Sequence, residues 1–248
     1  MRRSLMIDCA NDSFRHRYAE YAVVAADVIR ATTTAVTGLS LGRKCYPIPS
    51  IEAALPVAAR LDHPLLVGEL GGNMPFGFDL NNSPAELAAR TDIERPMILL
   101  STSGTKLICE GGHCQALYVV CFRNCLATAR YLVGRHEHIA VIGAPTRGEF
   151  REEDQMCCAW TAAGLIRAGY APEDGRTKRL VEEWTGASPE ACAHGKSAKY
   201  LRESGQEKDL EFILTHVNDV DEVFMLVQDE LVAASSIPCL TESGAKAA

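Results

Sequence analysis

Two segments of the chain place hydroxyl groups and an arginine where an anion would be held. The first is Asp27-Val28-Ile29-Arg30-Ala31-Thr32-Thr33-Thr34 and the second is Ser101-Thr102-Ser103-Gly104-Thr105. Each follows a short apolar run and opens a stretch with helical spacing. The first amides of a helix have no intrahelical partner and the helix dipole favours negative charge there, so such junctions bind oxyanions. Arg30 adds a planar, permanently charged group suited to phosphate or carboxylate. Helix capping alone would use the same Ser and Thr residues.

Carboxylates gather near the same places. Asp27 ends one apolar run, and Glu69 ends another within Gly68-Glu69-Leu70-Gly71-Gly72. Asp79 lies in Gly77-Phe78-Asp79-Leu80-Asn81-Asn82-Ser83-Pro84, and Asp154 closes Gly148-Glu149-Phe150-Arg151-Glu152-Glu153-Asp154. Oxygen donors without paired thiols or imidazoles suit magnesium rather than zinc. A divalent ion beside an anion pocket neutralises a transferring phosphoryl group. Asp27, Glu69, Asp79 and Asp154 are therefore expected to bind Mg2+ or activate water. Each acid also has an ordinary use: Asp79 can cap a turn through Asn81 and Asn82, and Glu152 to Asp154 favour a helix N-terminus.

Other chemistries fail on spacing. Gly195-Lys196-Ser197 ends like a phosphate-binding P-loop, but position 190 is Glu and no strand precedes it. Ser103 has Ser101 two residues before it, so the nucleophile-elbow pattern is absent. No Gly-x-Gly-x-x-Gly opens a helix, and Ile29 stands where haloacid-dehalogenase phosphatases carry their second aspartate. Cys9 and Arg15 have the spacing of a thiolate phosphatase, but no glycine lies between them to wrap a phosphate. Cys109, His113, Cys114, Cys121 and Cys125 are dense, yet no cysteine pair among them has the two-residue spacing of a structural zinc site. The seven histidines (His16, His63, His113, His136, His138, His194 and His216) stand in polar stretches and read mainly as surface residues.

The elements that must position these groups alternate. Strands are expected at 21–26, 44–48, 65–67, 97–100, 117–121, 139–142 and 223–227. Helices are expected at 32–41, 51–61, 105–109, 124–133, 153–168, 177–184, 189–202 and 207–215. Residues 68–84, rich in Gly, Asn and Pro, form a long loop of the kind that carries function, and the tail after Pro238 is expected to fray. Such alternation predicts an α/β fold with a mostly parallel or mixed sheet between helices.

The chain has 248 residues, 47% of them apolar and 23% charged, with 25 basic against 32 acidic side chains and a net charge of −7. That composition excludes a disordered, collagen-like or coiled-coil chain. An acidic chain without a basic stripe is a poor nucleic-acid partner. No run approaches the ~20 apolar residues of a membrane span. Without an export signal, the ten cysteines are expected as reduced thiols in a cytoplasmic protein.

The ordered segments Asp27 to Thr34, Gly68 to Gly72, Gly77 to Pro84, Ser101 to Thr105, Phe122 to Asn124 and Gly148 to Asp154 together resemble the 2-phosphosulfolactate phosphatase family. Asp-x-x-Arg-Ala-Thr-Thr and Gly-Phe-Asp-x-x-Asn-Ser-Pro are the most specific matches. The chain departs from the usual family pattern at Ser103, at Cys121 to Arg123 and at Ala144 to Arg147, positions that bear on the organic part of a substrate. The resemblance implies a three-layer α/β/α fold, written as one phosphatase-like domain over 1–248 or as two lobes, about 1–100 and 101–240. It implies magnesium-dependent hydrolysis of a small acidic phosphomonoester, first of all 2-phosphosulfolactate in a reaction of the coenzyme M biosynthesis type. Alternatives are a phosphatase or lyase for another 2-phospho acid, or an anion-binding protein of the same fold without catalysis. In this reading Asp27, Arg30, Glu69, Asp79 and Asp154 are catalytic. Thr32, Thr33, Asn82, Ser83, Ser103, Gly104, Thr105, Arg123, Asn124 and Arg147 hold the substrate, Arg123 or Arg147 taking its second anion. A homodimer is the default assembly.

Overall fold

The computed structural model describes residues 3–10 and 17–237. Arg15, His16 and the tail after Pro238 lie outside the described residues. Strands are β1 (Ser4–Cys9), β2 (Ala22–Ala26), β3 (Cys45–Ile48), β4 (Leu65–Gly68), β5 (Met97–Leu100), β6 (Ala116–Val120), β7 (His138–Gly143), β8 (Pro145–Thr146), β9 (Glu149–Phe150), β10 (Ala171–Pro172), β11 (Phe224–Val227) and β12 (Glu230–Ala233). Helices are α1 (Ala31–Ser40), α2 (Ala54–Ala58), α3 (Pro84–Ala88), α4 (Gly104–Glu110), α5 (Cys125–Leu132), α6 (Glu152–Arg167), α7 (Gly175–Trp184), α8 (Lys196–Glu203) and α9 (Glu207–Thr215).

Ten strands form one mixed sheet in the order β10-β1-β7-β2-β6-β11-β12-β3-β5-β4, and β8 pairs with β9 as a separate hairpin. From β10 to β6 all neighbours are parallel, and β3, β5 and β4 are parallel to one another. The hairpin β11–β12 joins these two parallel blocks and is antiparallel to both flanks. Strand β2, Ala-Val-Val-Ala-Ala, is buried at every position. A strand covered on both faces needs no polar alternation, which is why it reads as a continuous apolar run.

The layers follow from which side chains meet. Val23, Ala25, Leu117 and Val119 of one block pack with Leu65, Val67, Met97 and Leu99 of the other, around Ala35 and Val36 of α1 and Leu107 and Ile108 of α4. The opposite face of the first block packs on α5, α6 and α7 through Cys125, Ala127, Met156, Cys157, Ala162 and Leu180. The opposite face of the second block is covered by α2, with Ala54 against Ile48, Ile98 and Leu100. The result is a three-layer α/β/α protein.

Three differences from the expected elements have clear causes. Strand β1 was not expected because Asp8 interrupts its apolar run. That acid is nonetheless 5% exposed, held by Tyr18 Oη at 2.5 Å and by Arg17 and Arg176 at 3.0 and 2.7 Å. The helix expected over 189–202 is divided by Gly195, whose extended backbone separates a 3-10 turn at Pro189–His194 from α8. The helix expected over 51–61 contracts to the single turn of α2. All nine described cysteines are free, and of the six between 109 and 158, Cys121, Cys125, Cys157 and Cys158 lie in the core, Cys114 packs against it and Cys109 donates to Pro47 O. No helix of the described residues is long and apolar enough to cross a membrane.

Candidate active site

Two crossover helices create the site. Helix α1 leaves β2 in the first parallel block and leads to β3 in the second, while α4 leaves β5 in the second block and returns to β6 in the first. Their N-termini meet. A Cβ built on Gly104 would lie 2.2 Å from Asp27 Oδ2 and 2.7 Å from Ala31 Cβ, so only glycine lets the two helix starts come this close. Beside the junction lies a cleft of about 420 Å³ lined by Asp27, Arg30, Glu69, Asn82, Ser103 and Arg147 among others. Its outer wall comes from the C-terminal helices, with Lys196, Ser197, Lys199 and Tyr200.

Asp27 is 7% exposed, and its Oδ1 accepts only a long bond, 3.3 Å, from the Ala31 amide. Burial, reinforced by the charge of Glu69, pushes its pKa up to about 7. Glu69 is fixed by its own loop and by the β5–α4 junction: Oε1 accepts from Thr102 N at 2.7 Å, and Oε2 accepts from Thr102 Oγ1 at 2.8 Å and from Gly72 N at 2.7 Å. The left-handed backbone of Gly71 and Gly72, φ 63° and 90°, turns the loop so that the Gly72 amide can reach that oxygen. Behind Asp27, Asp154 is 2% exposed and accepts from Val28 N at 2.7 Å. Burial raises it well above the usual carboxylate range, with Glu153 and Asp27 adding to the effect. Glu153 is buried too and is likewise shifted upward by desolvation.

Arg30, 5% exposed, lines the cleft with its Nη1 held by Asp209 and Gln206. Asn82 is 2% exposed and also lines the cleft, and its buried Oδ1 has no hydrogen-bond partner. A buried amide oxygen left unpaired costs about 1–3 kcal/mol, which a donor or a cation entering the cleft would relieve. Arg147, exposed at φ 52° in the β8–β9 turn, and Ser103 complete the expected residues that reach the cleft.

Other expected site residues are placed elsewhere, Asp79 among the four acids included. Asp79 is exposed, accepts from Leu66 N at 2.9 Å and pairs with Arg95 at 3.2 Å, away from the cleft. Among the described residues no three His, Cys, Asp or Glu side chains are grouped so as to hold a metal ion. Arg123 is not a free cation: it pairs with Asp219 at 2.7 Å and donates to Thr37 Oγ1 at 3.0 Å. Asn124 braces its own turn, accepting from Cys121 N and donating to Val119 O.

The hydroxyls of Thr32, Thr33 and Thr105 donate to the carbonyls of Asp27, Val28 and Ser101. Ser83 caps α3 and donates to Asp209, and the Ser103 hydroxyl donates to Pro145 O at 2.6 Å. The threonines thus shape the helix starts, and what those starts can offer an anion is backbone amide.

Sequence reasoning missed Arg151, Lys196, Tyr200, Gln206 and Asp209. Only Arg151 and Lys196 had a local signal, as basic residues beside motifs already singled out. Lys196 and Arg151 both bind Glu149 at 2.7 Å, and Tyr200 Oη donates to Gly72 O at 2.8 Å.

Buried carboxylates at the crossing of two helix starts, with guanidinium and ammonium groups along the same cleft, form the candidate site of an α/β protein. The family model described as 2-phosphosulpholactate phosphatase matches residues 9–230, and the chain belongs to this family of phosphoric monoester hydrolases. It is 34% identical over 193 residues to the probable 2-phosphosulfolactate phosphatase of Thermotoga petrophila, covering 77% of this chain and 83% of the relative. It is 28% identical over 220 residues to the protein of the same description from Clostridium perfringens, covering 86% and 89%.

Proposed function

We propose that the protein hydrolyses a small acidic phosphomonoester with magnesium, 2-phosphosulfolactate being the substrate and sulfolactate and phosphate the products, in a reaction of the coenzyme M biosynthesis type. The observation that carries this reading is the juxtaposition of the Asp27 and Glu69 carboxylates with Arg30 and the start of α4 in one cleft of a chain belonging to this family. The relatives named as probable 2-phosphosulfolactate phosphatases support the choice of substrate.

The donor set suits magnesium. Magnesium commonly binds through one or two carboxylates together with substrate phosphate and water. Asp27 is a buried carboxylate contacted by no protein cation among the described residues, because Arg30 is turned to Asp209. Asp27 and Glu69 would hold the ion, and when bound it would neutralise charge on the phosphoryl oxygens. Arg30 and the backbone amides of α4 bind and orient the phosphate, while Arg147, Lys196 and Lys199, which also line the cleft, would meet a sulfonate or carboxylate.

The test is phosphate release from 2-phosphosulfolactate and a panel of 2-phospho acids, with EDTA and with magnesium restored. Magnesium-dependent release that is fastest with 2-phosphosulfolactate is the expected result. Binding of these compounds with no phosphate released would overturn the reading.

A further inference from the structure

Asp209 lies in the first turn of α9, 179 residues away from Arg30 in sequence, yet it is 3% exposed and touches the site arginine directly. Its Oδ2 accepts from Arg30 Nη1 at 2.6 Å. Its Oδ1 accepts from Ser83 Oγ at 2.6 Å and from Ala85 N at 3.1 Å. Gln206 Oε1 accepts from the same Arg30 Nη1 at 2.5 Å and from Asn81 Nδ2 at 3.2 Å.

Nη1 carries two hydrogens, and these two acceptors use both. The side-on edge formed by Nε and Nη2 meets no protein acceptor among the described residues, although Arg30 is nearly buried and lines the cleft. Such an edge makes two parallel hydrogen bonds to an oxyanion. A free arginine side chain would rotate among several staggered wells. Anchoring Nη1 at two points removes that freedom before a ligand arrives, and pre-organisation of this kind lowers the entropy lost on binding.

We propose that Asp209 is a positioning residue that fixes the Arg30 guanidinium so that its Nε–Nη2 edge faces the phosphoryl group. Its second oxygen fastens Ser83, and with it the loop that carries Asn82, to the same anchor. One carboxylate in the C-terminal helices thereby sets two cleft-lining groups supplied by the N-terminal part of the chain. The inference rests on the phosphatase reading for the identity of the anion, and on the hydrogen bonds alone for the anchoring.

The test is a double-mutant cycle read in two ways: inorganic phosphate binding by calorimetry, and KM and kcat for 2-phosphosulfolactate. Asp209→Asn is expected to weaken phosphate binding and raise KM about tenfold, with kcat changing less. In an Arg30→Gln background the same substitution should add almost nothing, since Asp209 acts through Arg30. Gln206→Leu, at a half-exposed position, removes the other acceptor and is expected to weaken phosphate binding by a few-fold even if Asp209→Asn fails to fold. Wild-type phosphate affinity in Gln206→Leu, or effects that multiply independently in the double variant, would overturn the proposal. A wild-type protein that binds phosphate but hydrolyses nothing would overturn the catalytic reading, and the calorimetric arms would still decide the role of Asp209.

Discussion

Gly104 and Asp27 touch across the junction of α1 and α4, with room for no carbon on the glycine: an added Cβ would sit 2.2 Å from Asp27 Oδ2 and 2.8 Å from Asp27 Cβ. The backbone of Gly104 is helical, so alanine would be conformationally acceptable and the obstacle is purely steric. Gly104→Ala is expected to push the two helix starts apart. A loss of about 1–3 kcal/mol, the usual range for overpacking, should appear in chemical denaturation, together with at least a tenfold loss of phosphate release. Wild-type activity in this variant would show that the contact does not shape the site.

The raised pKa of Asp27 ties stability to pH. Its ordinary value is 3.8 and in the folded protein burial, followed by Glu69, lifts it to about 7. Between these values the folded protein retains a proton that the unfolded chain has released, so stability falls as pH rises through that window and levels off above it. Asp27→Asn removes the titration. In metal-free buffer its melting temperature should exceed that of the wild type by a margin that widens from about pH 4 to about pH 8. A constant margin would show that the carboxyl of Asp27 is not the group responsible.

Glu69 and Asp79 should behave oppositely. Glu69 accepts three hydrogen bonds from Thr102 and Gly72 at the cleft wall, and Glu69→Gln turns an N–H2 group towards one set of those donors. Phosphate release should fall more than tenfold and need more magnesium. Asp79 bonds Leu66 N and the partly exposed Arg95 outside the cleft. Asp79→Ala should cost about 1 kcal/mol of stability and leave steady-state kinetics within about twofold. Equal losses from the two variants would contradict the separation of these acids.

Arg147 stands exposed at the cleft mouth and forms no ion pair among the described residues. Arg147→Ala should raise KM for a substrate with a second anion by about tenfold, while leaving KM for a singly charged phosphomonoester within about twofold. The difference should shrink in high salt because the side chain is solvated. A uniform rise for both substrates would assign Arg147 to the phosphate instead.

Groups whose environment is local in sequence were legible there. Asp27 could be placed because it ends a fully buried run, and the start of α4 because Ser103-Gly104-Thr105 follows one. The threonines show the limit of such reading. Ser and Thr at a helix start suit anion binding and capping alike, and only coordinates reveal that Thr32, Thr33 and Thr105 spend their hydroxyls on carbonyls four or five residues back. Asp8 hid β1 because its partners Arg17, Tyr18 and Arg176 come from other elements. Asp209 was invisible for the same reason: nothing in the spacing of α9 indicates an arginine at position 30. Long-range pairing of charged groups is not encoded in periodicity.

The hairpin that joins the two parallel blocks is also the last part of the sheet to be synthesised, since β11 and β12 come after every other strand. Until Phe224 to Ala233 have emerged, β6 and β3 each present a bare row of backbone donors and acceptors with no neighbour. Such rows are templates for wrong partners, so a growing or truncated chain ending before Phe224 carries two adhesive borders that the finished protein conceals. The innermost seam of this molecule is thus its final stitch, and nicking that short ribbon should threaten solubility before it threatens any residue of the cleft.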